Sequence, residues 1–65
     1  MFKENDVVIL TRNVEDMAVG AEGTIVAILE ESAVYLVEFL DEQGNTISIL
    51  EVNKNDIERI WESKP

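Results

Sequence analysis

The stretch GTIVAILEESAVYLVEFL, residues 23–40, decides the fold. Two runs of strand length, 23–29 and 33–40, are rich in β-branched and aromatic residues. The polar residues 30–32 between them suit the short turn that joins two antiparallel neighbours. In the second run Tyr35, Val37 and Phe39 recur at every second position. Side chains alternate between the two faces of a strand, so this set is predicted to face the core and Glu38 the opposite side.

The first run, Ile25-Val26-Ala27-Ile28-Leu29, does not alternate, and this is unusual for a half-buried strand. If Ile25, Ala27 and Leu29 face inward, Val26 and Ile28 face outward, and a bulge that changes the parity partway still leaves aliphatic groups outside. On the next strand Val34 and Leu36 would lie beside them. Exposed aliphatic patches of this kind usually mark interaction sites. The alternative is that the loop 13–22 or the tail through Trp61 covers them.

The rest of the chain adds three further strands to this pair. Residues 6–11, 46–52 and 57–61 are predicted strands, and Gly44 supplies a positive φ in the hairpin loop 41–45. A long polar loop, 13–22, is suited to fold over the end of a small barrel. Residues 53–56 are predicted to form a short helical turn, because Asn and Asp side chains bond to nearby backbone groups.

Five short antiparallel strands with a long first loop and one turn before the last strand indicate an all-β fold, a small five-stranded antiparallel SH3-like barrel. Pairing of the first and last strands would leave few unpaired backbone edges. An OB-fold is the rival, but it needs a helix between its third and fourth strands, and the loop 41–45 is too short for one. The 65 residues suffice for a single domain, 1–65.

Charge is distributed unevenly along the chain. The formal net charge is −9, and residues 13–53 contain nine carboxylates and no Lys or Arg. Such a field repels nucleic acid and anionic lipid and attracts basic partners. Direct binding to nucleic acid is therefore not expected. The five bases lie near the two ends: Lys3, Arg12, Lys54, Arg59 and Lys64.

Residues with catalytic chemistry are scarce, so the chain is predicted not to be an enzyme. Histidine and cysteine are absent, and with them the commonest general base and the usual thiolate and imidazole metal ligands. No metal and no cofactor are predicted. The N-terminus has no apolar signal segment, and the longest uncharged apolar runs are five residues, too short to span a membrane. A cytoplasmic protein without membrane contact is expected.

Two local patterns invite a functional interpretation that is weaker than the structural one. Gly20 and Gly23 lack the following Lys of a phosphate-binding loop, and Glu22 between them would repel phosphate, so they are predicted to shape the entry into the second strand. Tyr35 and Phe39 occupy alternate strand positions that face the predicted core. They are not clustered beside the first loop, as the aromatic residues that bind proline-rich peptides in SH3 domains are.

Three segments carry a resemblance to a known family: Asp6-x-Val8-x-Leu10, then Gly20-x-x-Gly23-Thr24-Ile25, and finally Asn55-Asp56-Ile57. Together they resemble the small bacterial family called domain of unknown function 4926, and more remotely KOW-type and other SH3-like barrels. The resemblance implies a compact barrel and, by analogy, bacterial proteins that act beside a partner, some as immunity or antitoxin components. It supplies no catalytic residue.

The leading hypothesis is a non-enzymatic protein-binding module with an acidic and aliphatic sheet face, directed at a protein with a basic surface. Two alternatives stay open: a structural homo-oligomer that buries the same face against its own copy, and a nucleic-acid mimic that blocks a DNA-binding protein. The predicted partner-binding residues are Val26, Ile28, Val34, Leu36, Glu22, Glu30, Glu31 and Glu38.

Overall fold

The computed structural model describes residues 1–64 and contains five strands. The predicted all-β architecture is confirmed, and strand ends differ from the predicted ones by at most one residue. Two three-residue turns, Glu30–Ser32 and Lys54–Asp56, complete the regular structure. The strands are β1 (Val7–Leu10), β2 (Glu22–Leu29), β3 (Val34–Leu40), β4 (Thr46–Asn53) and β5 (Ile57–Trp61).

The strands form one antiparallel sheet in the order β4-β3-β2-β1-β5. The first and last strands pair as predicted, with Leu10 opposite Ile57. Within residues 1–64 no ladder joins β4 to β5, so backbone pairing does not close the barrel. The turn between these two strands is instead bonded to neighbouring segments: Lys54 N–H donates to the Ala33 carbonyl at 3.0 Å, and Thr11 N–H donates to the Asp56 carbonyl at 2.8 Å.

Every strand contributes to a single hydrophobic core, so the sheet curls around it. The loop 11–21 packs Val14, Met17 and Ala21 against this core, in keeping with its predicted position over one end of the barrel. Backbone hydrogen bonds from Gly20 N–H to the Leu10 carbonyl and from Leu10 N–H to the Ala21 carbonyl, both 2.9 Å, fix the loop against β1. The buried core residues are Val8, Leu10, Ile25, Tyr35, Val37, Phe39, Val52 and Ile57.

Gly23 permits the close approach of β2 to β3. A Cβ atom at this position would lie 2.5 Å from Val37 Cγ1 and 3.0 Å from both the Glu38 carbonyl oxygen and Phe39 Cδ1. No side chain fits at those distances, so Gly23 shapes the entry into the second strand as predicted, by avoiding this crowding.

A bulge at Val26 sets which residues of β2 face outward. The register shifts between Ile25, which pairs with Val37, and Ala27, which pairs with Leu36. Directly opposed residues share a face, so Ala27 and Leu29 lie on the outer side and not, as predicted, on the core side. Ile28 pairs with the buried Tyr35 and so lies on that residue's side of the sheet instead of the predicted outer side, but it is exposed there.

Asp6, immediately before β1, is the one fully buried acidic residue in the described part of the chain. Its carboxylate accepts hydrogen bonds from Lys3 N–H at 2.8 Å, Ser63 N–H at 2.7 Å and Arg59 Nε at 3.0 Å. We call this arrangement of Asp6, Lys3, Arg59 and Ser63 the terminal clasp. It joins the segments before β1 and after β5 at one carboxylate.

The terminal clasp keeps Asp6 ionised in the interior. Burial alone would raise the pKa of this carboxyl, but the backbone N–H groups of Ser63 and Lys3 and the Arg59 guanidinium outweigh it, and the pKa lies below its ordinary value. Arg59 also donates to the Met1 carbonyl and stacks over the Phe2 ring at 5.5 Å. The charge buried at Asp6 thus orders the N-terminal segment as well.

Among residues 1–64 there is no helix of the length and apolar character that crossing a bilayer requires.

Candidate protein-interaction face

The outer face is the side of β2, β3 and β4 that points away from the core. Cross-strand pairing arranges its side chains in three rows. The first row is Thr24, Glu38 and Ile49, the second is Ala27, Leu36 and Glu51, and the third is Leu29, Val34 and Asn53. Each of the three strands therefore contributes aliphatic side chains to this face, whereas the sequence pattern predicts them on β2 and β3.

Several of these aliphatic groups are open to solvent. Val26 retains 39% of its accessible surface and Ile49 51%, and Leu40 and Ile47 at the ends of their strands are also exposed. Leu29, Val34 and Leu36 are half-buried. Neither the loop 11–21 nor the tail seals this side, since the loop packs on the core and the tail is held by the terminal clasp.

Acidic residues lie within the outer face and not only at its border. Glu38 stands between Thr24 and Ile49, on the side opposite the core as predicted. The Thr46 hydroxyl donates to Glu38 Oε2 at 2.6 Å, which orients the carboxylate along the sheet. Glu51 lies directly opposite Leu36. The surface is consequently a mixture of carboxylates and aliphatic groups at cross-strand spacing.

The structure divides the predicted partner-binding residues among three places. Val26, Val34, Leu36 and Glu38 lie together on the outer face. Glu22 begins β2 opposite Ile9, next to this face. At the far end, Glu30 and Glu31 belong to the β2–β3 turn, and Ile28 lies on the Tyr35 side of the sheet.

Sequence reasoning missed Ile49 and Glu51 as members of this face. The alternation in β4 showed that Ile47 and Ile49 share a side, but Leu50 and Val52 are apolar as well. Hydrophobic periodicity cannot choose between two apolar faces, and only the pairing with β3 does so.

A recess of about 200 Å³ adjoins the outer face where β2 meets the end of β3. Its walls include the carboxylates of Glu22 and Asp41 and the aliphatic side chains of Val7 and Leu40. The Asp41 carboxylate accepts from Asn45 N–H at 2.8 Å and Gln43 N–H at 2.9 Å, which lower the pKa of Asp41. Together with the aliphatic walls, Glu22 and Asp41 suit the stem and cationic head of a Lys or Arg side chain.

The ion pairs of the molecule lie at its terminal strands. Arg59 pairs with Asp6, Arg12 with Asp56 at 3.1 Å, and Lys3 with Glu62 at 3.0 Å. Among residues 1–64, none of the nine acids between positions 13 and 53 forms an ion pair. The five acids outside that range balance the five bases, so the whole formal charge of −9 falls on the loop and the meander.

The described residues contain no cluster of three or more side chains able to hold a metal ion. The carboxylates of the outer face are separated by aliphatic groups. What this face offers is shape, apolar area and negative charge.

Comparison with known proteins identifies the family. No curated protein and no solved structure matches the chain. The family model described as a domain of unknown function, DUF4926, matches residues 4–59, which include all of β1 to β4 and the start of β5. The matched segment contains the buried Asp6, the close-packed Gly23 and the meander. The chain belongs to the DUF4926 family of domains of unknown function.

Proposed function

We propose that this domain is a non-enzymatic binding module that engages a basic protein through the outer face of β2, β3 and β4. The observation that carries the proposal is the coincidence of half-exposed aliphatic side chains with uncompensated carboxylates on one surface. Protein interfaces combine an apolar centre with polar groups that select the partner and speed the encounter.

Charge favours a basic protein over a second copy of the chain as the occupant. Two copies paired through this face would oppose Glu38 and Glu51 of one to acids of the other, and each copy has a net charge of −9. Like charges brought together at an interface disfavour association. A partner with Lys and Arg side chains would instead neutralise these acids, and one such side chain fits the recess between Glu22 and Asp41.

A toxin or nuclease that acts on nucleic acid presents the kind of basic surface that this face complements. We propose that the domain acts as an immunity or antitoxin-like partner in the bacterial cytoplasm, occupying the surface with which such a protein contacts phosphate. This partner class rests on charge complementarity and on the family resemblance.

Two isoleucines of matched exposure allow a direct test. Ile49 of β4 is 51% exposed on the outer face, and Ile60 of β5 is 49% exposed on the terminal side. Ile49→Asp and Ile60→Asp add the same charge at the same degree of burial on the two edge strands. Affinity capture from a lysate of the native host is expected to recover the partner with the wild type and Ile60→Asp, and at least about tenfold less with Ile49→Asp.

Circular dichroism and thermal unfolding must first show that both variants are folded. The captured protein is then purified, and its affinity is measured at rising salt; a decrease with ionic strength is expected for a charge-steered complex. A double variant, Val26→Asp with Leu36→Asp, provides a second disruption of the same face. Equal recovery with the wild type and both outer-face variants overturns the proposal.

A further inference from the structure

A second concave site lies away from the outer face, at the end of the sheet where three segments meet. It is a cavity of about 360 Å³ between the N-terminal segment, the β2–β3 turn and the turn before β5. This volume is near the lower end of the range for small-molecule sites. The lining residues are Met1, Phe2, Glu31, Ser32, Tyr35, Lys54 and Asn55.

Tyr35 lines this cavity from the side of the core. The residue is 1% exposed, and its ring packs edge-to-face against Phe2 with centroids 5.2 Å apart. Tyr35 is among the residues that line the cavity, and it brings a phenol hydroxyl to this end of the core.

Opposite charges line the cavity without pairing. Glu31 and Lys54 both contribute to its walls, yet no ion pair within 4.0 Å joins them. Among the ion pairs within residues 1–64, Lys3, Arg12 and Arg59 each pair with an acid, and none involves Lys54. The cavity thus brings Lys54, Glu31 and the hydroxyl-bearing side chains of Ser32 and Tyr35 together beside the apolar ring of Phe2.

The backbone that places Glu31 is strained. Glu30, Glu31 and Ser32 have φ values of 45°, 57° and 71°, a left-handed conformation that residues with a Cβ rarely adopt even singly. Strain of this kind is retained where the surrounding structure enforces it, and it is concentrated at binding sites. Two of the three strained residues, Glu31 and Ser32, line the cavity.

We propose that this cavity binds a small zwitterion, namely a free amino acid with an apolar side chain. The ligand carboxylate would meet Lys54 and the Tyr35 hydroxyl, its ammonium group would meet Glu31, and its side chain would pack on Phe2. The net charge of −9 repels a free anion, and Lys54 repels a simple cation. A zwitterion carries no net charge, and its two charged groups can pair with Lys54 and Glu31. The volume is sufficient for a free amino acid.

Heteronuclear NMR titration of the full chain tests this proposal with three related probes. L-Leucine carries both charges, L-leucinamide only the ammonium group, and N-acetyl-L-leucine only the carboxylate. Leucine is expected to shift the amide signals of Ser32, Tyr35 and Asn55 saturably, with a Kd on the order of 1 mM. The two singly charged probes are expected to bind at least about fivefold more weakly.

Three variants assign the contacts. Tyr35→Phe keeps the ring in the core and removes only the hydroxyl, and it is expected to weaken leucine binding about fivefold. Lys54→Gln and Glu31→Gln should each weaken it to a similar extent, while Lys64→Gln and Glu42→Gln, outside the cavity, should leave it unchanged. The inference is wrong if leucine gives no saturable shifts up to about 20 mM, if a singly charged probe binds as tightly, or if the cavity variants bind like the wild type. The outer face is not involved, so these outcomes are independent of the proposed protein partner.

Discussion

The terminal strands β1 and β5 with their flanking segments carry five acids and five bases, whereas residues 13–53 carry nine acids and no base. In the terminal region the charges meet each other, at the terminal clasp and in the pairs of Arg12 with Asp56 and Lys3 with Glu62. In the meander the carboxylates face solvent beside exposed aliphatic groups. Internally paired charges serve folding, and unpaired charges on an apolar face are available to a partner. The comparison assigns stability to one region and recognition to the other.

Removal of the Asp6 carboxylate should have the largest effect. Asp6→Ala leaves Arg59 without its buried counter-ion and two N–H groups without an acceptor, so the free energy of unfolding should fall by about 3 kcal/mol. Asp16→Ala, in the exposed loop, should change it by less than about 0.5 kcal/mol. Urea denaturation followed by circular dichroism measures both. Equal losses in the two variants would remove the distinction between the regions.

A substitution at Gly23, where the two regions meet, should lower the free energy of unfolding almost as much. Gly23 of β2 lies opposite Val8 of β1 on one side and Phe39 of β3 on the other. Gly23→Ala forces a Cβ against Val37 and should lower the free energy of unfolding by about 2 kcal/mol. Gly44→Ala, where φ is +85° but the surrounding space is open, should cost about 1 kcal/mol. Thermal unfolding of the two variants separates the effect of crowding at Gly23 from that of backbone strain at Gly44. A larger loss of stability in Gly44→Ala would contradict the close packing of β2 on β3 at Gly23.

Acid should weaken the terminal clasp. The folded pKa of Asp6 lies below its ordinary value of 3.8, so the clasp contributes fully above that value. Its contribution is lost as the pH falls through the folded pKa, because the carboxyl is protonated more readily in the unfolded chain. Asp6→Asn removes this titration, and its stability should fall less than that of the wild type between about pH 5 and about pH 2. Urea midpoints across that interval give the comparison, and identical slopes would show that the clasp does not titrate.

The smallest expected effect comes from reversing one exposed charge in each region. Glu51→Lys on the outer face reduces the repulsion among unpaired acids and should raise the free energy of unfolding by about 0.5 kcal/mol at low salt. Glu58→Lys in β5 enters a region that is already balanced, where the change should be close to zero. Denaturation at low and high salt checks both. A gain at Glu58 as large as that at Glu51 would show that the meander acids do not repel one another measurably.

Local sequence signals were sufficient for the strands, the turn before β5 and the roles of Gly23 and Gly44. Asn53 illustrates why: its side chain accepts from Asn55 N–H at 2.9 Å, an interaction between near neighbours that residue types alone indicate. The aliphatic outer face was also predictable in outline, since Val26, Val34 and Leu36 broke the expected alternation.

What the sequence did not indicate depends on distant partners. Asp6 looks like an ordinary residue before a strand, and its burial follows from contacts with Arg59 and Ser63 at the other end of the chain. The bulge at Val26 is determined by pairing with β3. The alternation of side chains along β2 therefore could not show which face of the sheet Ile28 occupies. The left-handed turn Glu30–Ser32 contains no glycine and therefore carries no local signal for positive φ.

The terminal clasp also determines where this domain can be opened and joined. Because one carboxylate contacts backbone N–H groups of both Lys3 and Ser63, the two ends of the fold lie side by side. A few added residues would connect them, and new ends could be made in the solvent-exposed loop between β3 and β4. The family's architecture is thus suited to circular permutation and to insertion, as a complete unit, into an exposed loop of a larger protein.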